Sequence, residues 1–304
     1  LALSRLLTEW GEVLKAAHVP SVAVFLIFLR SGLTTRFSGL IDAAGKWRGH
    51  LRIQGAVFVL VPLGLWAASS MIADEQLRMG VYLVAAVPTT ISSCLVFTQL
   101  AGGNGHLALL NAVAGNALGV IVSPLILRAL LGSGAEGGAA NVAGTIQKLF
   151  VLVLVPFVVG HVIAWPSDSV RNRVQRFPVP IPQILILLIM FCAFATSWER
   201  LSATEPQQLW ICLACLALFH LLLCGAVALL GAALRLDRQD RVAVFFCSTQ
   251  KTLAMGIPLA MAFFSGPIGM ILVPITFYHF FQLVFGSAMM PVWRRSVAKA
   301  TKGV

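Results

Sequence analysis

Long apolar runs alternate with short polar segments along almost the whole chain. Each run is about as long as a helix must be to cross a bilayer, roughly 17–25 residues. The pattern therefore predicts an all-α membrane protein with about nine transmembrane helices. The predicted spans cover residues 19–34, 51–73, 79–101, 105–131, 143–165, 180–197, 208–234, 240–264 and 269–293.

The first 18 residues have a different pattern, in which apolar positions recur at helical spacing. Leu3, Leu7, Trp10 and Leu14 fall on one face of a helix, and charged residues lie between them. Such a helix is typical of a segment that lies in the bilayer interface. We therefore predict an amphipathic N-terminal segment over 1–18, one transmembrane domain over 19–293 and a basic tail over 294–304.

Two of the predicted spans carry clusters of polar residues at a depth where water is scarce. The first contains VPTTISSC at 87–94, and the second contains CSTQKT at 247–252, followed by Gly256 and Pro258. Proline lacks an amide donor and interrupts helical hydrogen bonding, and hydroxyl side chains can satisfy the freed backbone groups. A proline-kinked helix would explain one such span. Two in corresponding places predict discontinuous helices in a transporter built from repeats.

Other polar side chains lie singly in apolar spans. Asn111 and Asn116 either line a polar centre or form structural hydrogen bonds between helices, because a buried amide needs partners. His161, His220 and His279 most simply read as neutral packing groups. His279 is the strongest of the three candidates for binding, because its span directly follows the second interrupted one.

The composition agrees with a membrane protein. The chain is 59% hydrophobic and 11% charged, with a mean hydropathy of +0.90, whereas soluble domains are about 45–50% apolar and 25% charged. The net charge of +11 could suggest a nucleic-acid partner, but the basic residues sit at the ends of apolar segments. The predicted partner is the lipid bilayer. All six cysteines fall in apolar runs, so neither a disulfide framework nor a metal site is predicted.

The lysines and arginines are shared unequally between the two sides of the predicted bundle. Fourteen flank the span ends of one side and five flank those of the other. Because cytoplasmic loops carry the excess of Lys and Arg, we predict that the N-terminus lies outside and the C-terminus in the cytoplasm or its equivalent.

Charged residues at membrane depth are the most informative feature. All 11 Asp and Glu lie in tails, loops or span ends, whereas Lys251 lies ten residues past Arg241, near the middle of its span. A mechanism that binds sodium or carries a proton on a buried carboxylate therefore lacks its usual residue. The alternative for Lys251 is that its side chain snorkels to an interface, which its depth disfavours.

Three polar segments carry a family resemblance. The sequences VPTTISSCLVFTQLAGGN, LLNAVAGNALGVIVSPLIL and CSTQKTLAMGIPL, with SGL at 31–33, resemble the bile acid:sodium symporter superfamily. The match is closest to its member-seven-like subgroup, which includes plant plastid proteins. The resemblance covers about residues 19–293.

The resemblance implies a bundle with inverted repeats. A core domain would hold two discontinuous helices that cross near the midplane, and a panel domain would move against it. The panel would comprise about 19–73 with 143–197, and the core about 79–131 and 208–293. Nine spans fit members that lack the first of ten helices, or a chain trimmed at its start. The membrane would be a plasma or organelle membrane, with the C-terminus in the stroma if it is a plastid envelope.

The resemblance also implies sodium ligands, of which this chain keeps some and lacks others. At the first crossing helix, the family's Ser-Asn pair falls on Ser93 and Cys94, so the Asn is missing. At the second, the glutamate shared by both sodium sites falls on Phe246, whereas the following Gln is kept as Gln250. The next position, usually Asn, is Lys251.

Ligands on other helices are also only partly kept. The family's hydroxyl ligands fall near Asn111 and Asn116, and a second Gln is replaced by Val57. No cofactor is predicted, and sodium is possible but its ligands are incomplete. Our hypothesis is that the ammonium group of Lys251 occupies the space, and takes the electrostatic role, of a bound sodium ion. Proton coupling through Lys251 is the alternative.

The predicted function is secondary-active transport of a small organic anion by alternating access. A bile-acid-like compound, a sulfated steroid or a carboxylate metabolite would fit. The alternative is a non-transporting regulator of ion homeostasis, for instance of calcium. A retinal protein is excluded because it needs a carboxylate counter-ion at depth, and no nucleophile–base–acid set indicates an enzyme. The predicted substrate- and ion-binding residues are Thr90, Ser92, Ser93, Cys94, Asn111, Asn116, Ser248, Thr249, Gln250, Lys251, Thr252 and His279.

Overall fold

The computed structural model describes residues 2–35, 45–132, 142–165, 168–177, 180–233 and 236–302. Within these ranges the chain forms helices and no strand, as predicted. The helices are α1 (Ala2–Ala16), α2 (Val19–Thr34), α3 (Trp47–Ser69), α4 (Glu75–Ala86), α5 (Ile91–Leu100), α6 (Gly105–Leu131), α7 (Val142–Ala164), α8 (Asp168–Arg176), α9 (Ile181–Ala195), α10 (Trp198–Ala203), α11 (Pro206–Ala233), α12 (Arg238–Thr249), α13 (Leu253–Phe263) and α14 (Gly269–Lys302).

The described helices account for every predicted span. Six segments are long and apolar enough to cross a bilayer, or up to nine if each of three bent helix pairs counts as one span. The bent pairs are α1–α2, α4–α5 and α8–α9, with angles of 64°, 57° and 56°. The predicted all-α, multi-pass fold is confirmed.

Both predicted interruptions are present. The first lies between α4 and α5, at residues 87–90, and the second between α12 and α13, at residues 250–252. The second does not occur at Pro258, which lies inside α13. That helix begins one turn earlier, because Thr252 accepts a hydrogen bond from the amide of Met255 and caps it.

The two interrupted spans occupy equivalent places in two halves of the chain. Each is followed by a short connection and one long helix, α6 in the first half and α14 in the second. Counted from α2, the interrupted spans are the third and the eighth. Because successive spans alternate in direction, elements five spans apart run in opposite directions. With nine spans this order is the one that an inverted repeat requires, and the repeat itself stays a prediction.

Helices α1, α2, α7, α8 and α9 pack against one another on one side of the bundle. Two glycines allow α2 and α7 to approach closely. A Cβ atom at Gly32 would lie 2.0 Å from the carbonyl oxygen of Phe157, and one at Gly160 would lie 2.2 Å from that of Leu29. These backbones are therefore in direct contact.

The interrupted spans pack with the remaining long helices. Helix α14 packs along α4, and α12 contacts α3, α5, α6 and α11. Helix α3 also packs on α4, α6 and α11, beside helices of the expected core. The division into panel and core stays a prediction.

Two spans contain a short widened π-helical turn, and in both a proline follows it. The turns are Ala56–Leu60 in α3, before Pro62, and Phe150–Leu154 in α7, before Pro156. Within α3, the amide of Val61 bonds back five residues to the oxygen of Ala56. The Val57 carbonyl therefore loses its α-helical donor, and the next amide in line belongs to Pro62, which has no hydrogen. Its oxygen is left free for another partner.

An ion-pair cluster joins the N-terminal ends of α3, α6 and α12. Lys46, just before α3, places its Nζ 2.7 Å and 2.8 Å from the two oxygens of Asp240, in the first turn of α12. The side chain of Asn104, just before α6, donates to the same carboxylate at 2.7 Å. Asp237 caps α12 by accepting from the Asp240 amide. The cluster ties α3, α6 and α12 together outside the apolar layer.

Candidate functional site

The two interruptions meet at the centre of the bundle. The amide of Thr252, in the second interruption, donates to the carbonyl oxygen of Pro88, in the first, at 3.0 Å. The side chain of Asn116 on α6 donates to the Thr89 carbonyl at 2.8 Å. The extended segment 87–90 therefore exchanges lost helical hydrogen bonds for tertiary ones.

Lys251 is held by three backbone carbonyls. Its side chain is fully buried, at 0% exposure. Its Nζ donates to the oxygens of Val57 at 3.0 Å, Ala85 at 3.2 Å and Val87 at 2.8 Å. Snorkelling to an interface is therefore not what the structure shows. The three donors of an ammonium group are matched by three acceptors.

Helix ends explain why these carbonyls are available. Ala85 and Val87 lie at the C-terminal end of α4, where the last carbonyls have no helical partner and carry the negative end of the helix dipole. Val57 is the residue that the π turn of α3 leaves without a donor. No Asp or Glu bonds to Lys251 in the described part of the chain. Backbone dipoles, rather than a carboxylate, therefore stabilise this charge.

Helix α14 holds the second interruption open. Gln282 accepts from the amide of Lys251 at 2.7 Å and donates to its carbonyl at 2.8 Å, which occupies both backbone groups of that residue. His279 Nδ1 lies 3.0 Å from Gln282 Nε2, and Tyr278 donates to the Thr249 carbonyl at 3.1 Å. These side chains take the place of the helical bonds that would otherwise continue α12 into α13.

We call the place where residues 87–90 and 250–252 meet the crossing. A short hydrogen bond links the two interrupted spans beside it. The hydroxyl of Ser93 on α5 donates to Gln250 Oε1 at 2.5 Å. The Nε2 of Gln250 is buried without a hydrogen-bond partner. Nearby, the ring of Phe246 lies 5.6 Å from that of Phe97, so an apolar contact occupies the position where the resemblance implied a glutamate.

A large cavity opens next to the crossing. It has a volume of about 820 Å³ and lies between α2, α8 and α9 on one side and α5, α6, α13 and α14 on the other. The first turns of α5 and α13 face it, so both helices point their positive ends toward it. Six of the predicted site residues line it: Thr90, Ser92, Ser93, Asn116, Thr252 and His279.

The other six predicted residues lie outside the cavity lining. Lys251 and Gln250 bridge the crossing behind it. Asn111 bonds within α6 and accepts from Gln54 on α3, so it serves helix packing. The remaining three are buried small side chains of α5 and α12: Cys94, Ser248 and Thr249.

Arg30 lines the cavity and was not among the predicted residues. Among the described residues, its Nε is buried without a hydrogen-bond partner, and its guanidinium donates to the Val174 carbonyl alone, at 3.4 Å. No Asp or Glu lines the cavity among the described residues. In the sequence, Arg30 lies near the end of an apolar run, where arginines commonly flank a span. Its position therefore gave no indication that it lines a cavity.

The comparisons with known proteins agree with this architecture. A profile of the SBF-like CPA transporter family matches residues 2–295. The chain belongs to this family. It is 32% identical to an uncharacterized protein of Pseudomonas aeruginosa over 285 residues, which are 88% of this chain and 81% of that protein.

Two vertebrate relatives carry a functional name. The chain is 29% identical to sodium/bile acid cotransporter 7 of Danio rerio, over 89% of this chain and 82% of that protein. It is 28% identical to sodium/bile acid cotransporter 7 of Mus musculus, over 97% and 88%. The predicted resemblance is confirmed. The protein is a multi-pass membrane protein of this transporter family.

Proposed function

We propose that this transporter carries a small organic anion by alternating access and that it does not require sodium. The observation that carries the proposal is the 820 Å³ cavity, which Arg30 lines and no described carboxylate lines. An electropositive, water-accessible cleft between two helix groups attracts an anion. Movement of α2, α7, α8 and α9 against the interrupted spans would open it to either side in turn.

The cavity lining matches the two parts of an amphipathic anion. Arg30 can bind a carboxylate or sulfate through two parallel hydrogen bonds. Thr90 precedes α5, and its hydroxyl makes no capping hydrogen bond, so it can donate to the same group. Ile27, Phe28 and Ile186 supply apolar surface for the rest of the molecule. Bile-acid-like compounds, sulfated steroids and carboxylate metabolites share this chemistry.

The position of Lys251 supports transport without sodium. Converging carbonyl oxygens are ligands that a monovalent cation takes in other proteins, and here an ammonium group already occupies them. The positive charge of the ammonium group would repel a second cation at the same place. The proposal assigns to Lys251 the electrostatic role of a bound sodium ion, supplied by the protein itself.

Uptake into proteoliposomes tests both parts of the proposal. A thermal-shift screen with taurocholate, estrone 3-sulfate and succinate selects the anion, and its uptake is then measured with sodium or with choline outside. We expect uptake of one anion to be equal in the two media. Strict dependence on sodium would contradict the role given to Lys251.

A substitution at Arg30 tests the cavity. Arg30→Gln should lower uptake at least about tenfold, because it removes a charge-assisted pair with the anion. Arg294→Gln, which removes an exposed arginine of α14 far from the cavity, is the matched control. If no anion shifts the melting temperature or is taken up, the alternative of a non-transporting regulator of ion homeostasis is favoured.

A further inference from the structure

A second cavity, of about 620 Å³, lies at one end of the bundle and shares no lining residue with the first. It is formed by the end of α3, the start of α4 and the end of α6. The transport proposal gives it no role. Its polar lining includes Ser70, Glu75, Arg78 and Tyr82, and Leu130 and Met79 form part of an apolar wall.

Two opposite charges stand side by side in this cavity. Glu75 and Arg78 are three residues apart on α4, so both project from the same face. They form no ion pair with each other, and within the described part of the chain Arg78 donates only to the Ile72 carbonyl, at 3.4 Å. The neighbouring carboxylate of Asp74 is engaged by Arg200. One cationic and one anionic group are thus both open to a ligand that carries the complementary pair.

The hydroxyl groups near Arg78 are engaged within the protein. Ser69 donates to the Trp66 carbonyl at 2.7 Å and lies 3.0 Å from the Tyr82 hydroxyl, and Ser70 donates to the Ala67 carbonyl at 2.9 Å. A phosphate group in this cavity would therefore be bound by the guanidinium of Arg78, which can form two parallel hydrogen bonds with it.

The cavity faces the lipid rather than the interior of the bundle. Trp66, which lines it, is 57% exposed, and Leu63, one turn deeper on the same face of α3, is 60% exposed. Tryptophan is enriched where the hydrocarbon layer meets the headgroups. The polar cavity thus continues into an apolar track along the exposed face of α3.

We infer that this cavity binds the headgroup of a phospholipid that carries a phosphate and a primary ammonium group, the chemistry of phosphatidylethanolamine. Arg78 would pair with the phosphate and Glu75 with the ammonium, and the acyl chains would follow the exposed face of α3 at Leu63. An anionic headgroup without an ammonium group would leave Glu75 without a partner, and the negative charge of Glu75 would repel it. A quaternary ammonium would offer Glu75 no N–H donor.

Native mass spectrometry of the delipidated full chain tests the inference. Dioleoyl phosphatidylethanolamine, its N-monomethyl and N,N-dimethyl derivatives, dioleoyl phosphatidylcholine and dioleoyl phosphatidylglycerol are added at matched concentrations. We expect binding to fall stepwise with methylation, by about three- to tenfold overall, and to be weaker for phosphatidylglycerol. This comparison needs no variant. Equal binding of the five lipids would overturn the inference.

Variants locate the site. Glu75→Gln should abolish the preference for phosphatidylethanolamine, and Arg78→Gln should weaken the binding of all five lipids, whereas Arg294→Gln and Glu205→Gln, which make the same changes at exposed positions elsewhere, should do neither. Retention of the preference in Glu75→Gln, or unchanged binding in Arg78→Gln, would overturn the inference. So would equal competition by soluble glycerophosphoethanolamine, because the acyl chains would then contribute nothing.

Discussion

We call the three backbone oxygens that hold the Lys251 ammonium group the carbonyl cage. Replacing Lys251 by alanine is its most direct test. The change removes the ammonium and three methylene groups from a fully buried site. It leaves the oxygens of Val57, Ala85 and Val87 facing a cavity with no donor. Because the π turn and Pro62 deprive Val57 of any backbone alternative, that oxygen cannot recover a bond by local rearrangement.

The size of the effect follows from the number of hydrogen bonds lost. Measured hydrogen bonds between helices in a membrane protein average about 0.6 and reach about 1.7 kcal/mol. Loss of three such bonds predicts a decrease in the free energy of unfolding of roughly 2–5 kcal/mol. Lys148→Ala is the matched control, because Lys148 lies on an exposed surface of α7 and should change stability by no more than about 0.5 kcal/mol.

Chemical rescue distinguishes the cage from a general packing defect. The atoms that Lys251→Ala removes correspond to propylammonium, which should bind in the space they leave and raise the melting temperature of the variant in detergent. Tetramethylammonium, which has no N–H group, should not. At a concentration ten times its dissociation constant, propylammonium would restore about 1.4 kcal/mol.

Two results would refute this reasoning. The first is a Lys251→Ala protein as stable as the Lys148→Ala control. The second is a rescue by propanol or tetramethylammonium equal to that by propylammonium, which would assign the effect to cavity filling or ionic strength. Lys251→Arg should also be less stable than the unchanged protein, because a planar guanidinium cannot direct three donors from one nitrogen to the three carbonyls.

Two further predictions concern stability. Gly32→Ala should lower the free energy of unfolding by about 1–3 kcal/mol, because its Cβ would overlap the Phe157 carbonyl of α7, whereas Gly225→Ala, with nothing within 4 Å of its Cβ, should not; equal melting temperatures would contradict the close contact. In the cluster outside the spans, burial opposes the charge of Lys46, but the hydrogen bond and charge of Asp240 outweigh it and raise the Lys46 pKa. Burial likewise opposes ionisation of Asp237, but the Asp240 amide and Lys46 outweigh it and lower the Asp237 pKa. Stability from Lys46 should therefore be full below its unfolded pKa of about 10.4 and lost as pH rises through the raised value, and that from Asp237 full above about 3.9 and lost as pH falls through the lowered value. Thermal melts across pH should show a weaker alkaline loss in Lys46→Met, and an unchanged loss would count against the ion pair.

The spans and both interruptions were predictable because local sequence patterns determine them. Apolar runs of bilayer length specify the helices, and the polar clusters at 87–94 and 247–252 mark the two breaks. The exact position of the second break was not predictable from Pro258. It depends on Gln282, which lies 31 residues away and reaches both backbone groups of Lys251.

The site was predictable in part, for a similar reason. Thr90, Ser93 and Thr252 stand out as hydroxyls in apolar spans, and they do face the cavity or the crossing. The partners of Lys251 do not stand out, since they are carbonyls that any residue would provide. Arg30 resembles a flanking charge until α2 is packed against α8 and α9. What the sequence could not specify is therefore tertiary contact rather than residue type.

The carbonyl cage also makes the two interrupted spans unequal in a way that bears on the proposed mechanism. The cation belongs to the second interruption, whereas its acceptors belong to α3 and to the end of α4. The ammonium therefore cross-links both interrupted spans through a covalent tether, and it cannot dissociate during a cycle as a free ion would. A cation carried in this way would keep the crossing intact through the proposed transport cycle. The movement that this proposal requires would then occur elsewhere, at the contacts of α2, α7 and α9 with α13 and α14. Cross-linking α2 to α13 should accordingly abolish uptake, whereas cross-linking α3 to α12 should leave it unchanged, and the reverse result would place the moving boundary at the crossing itself.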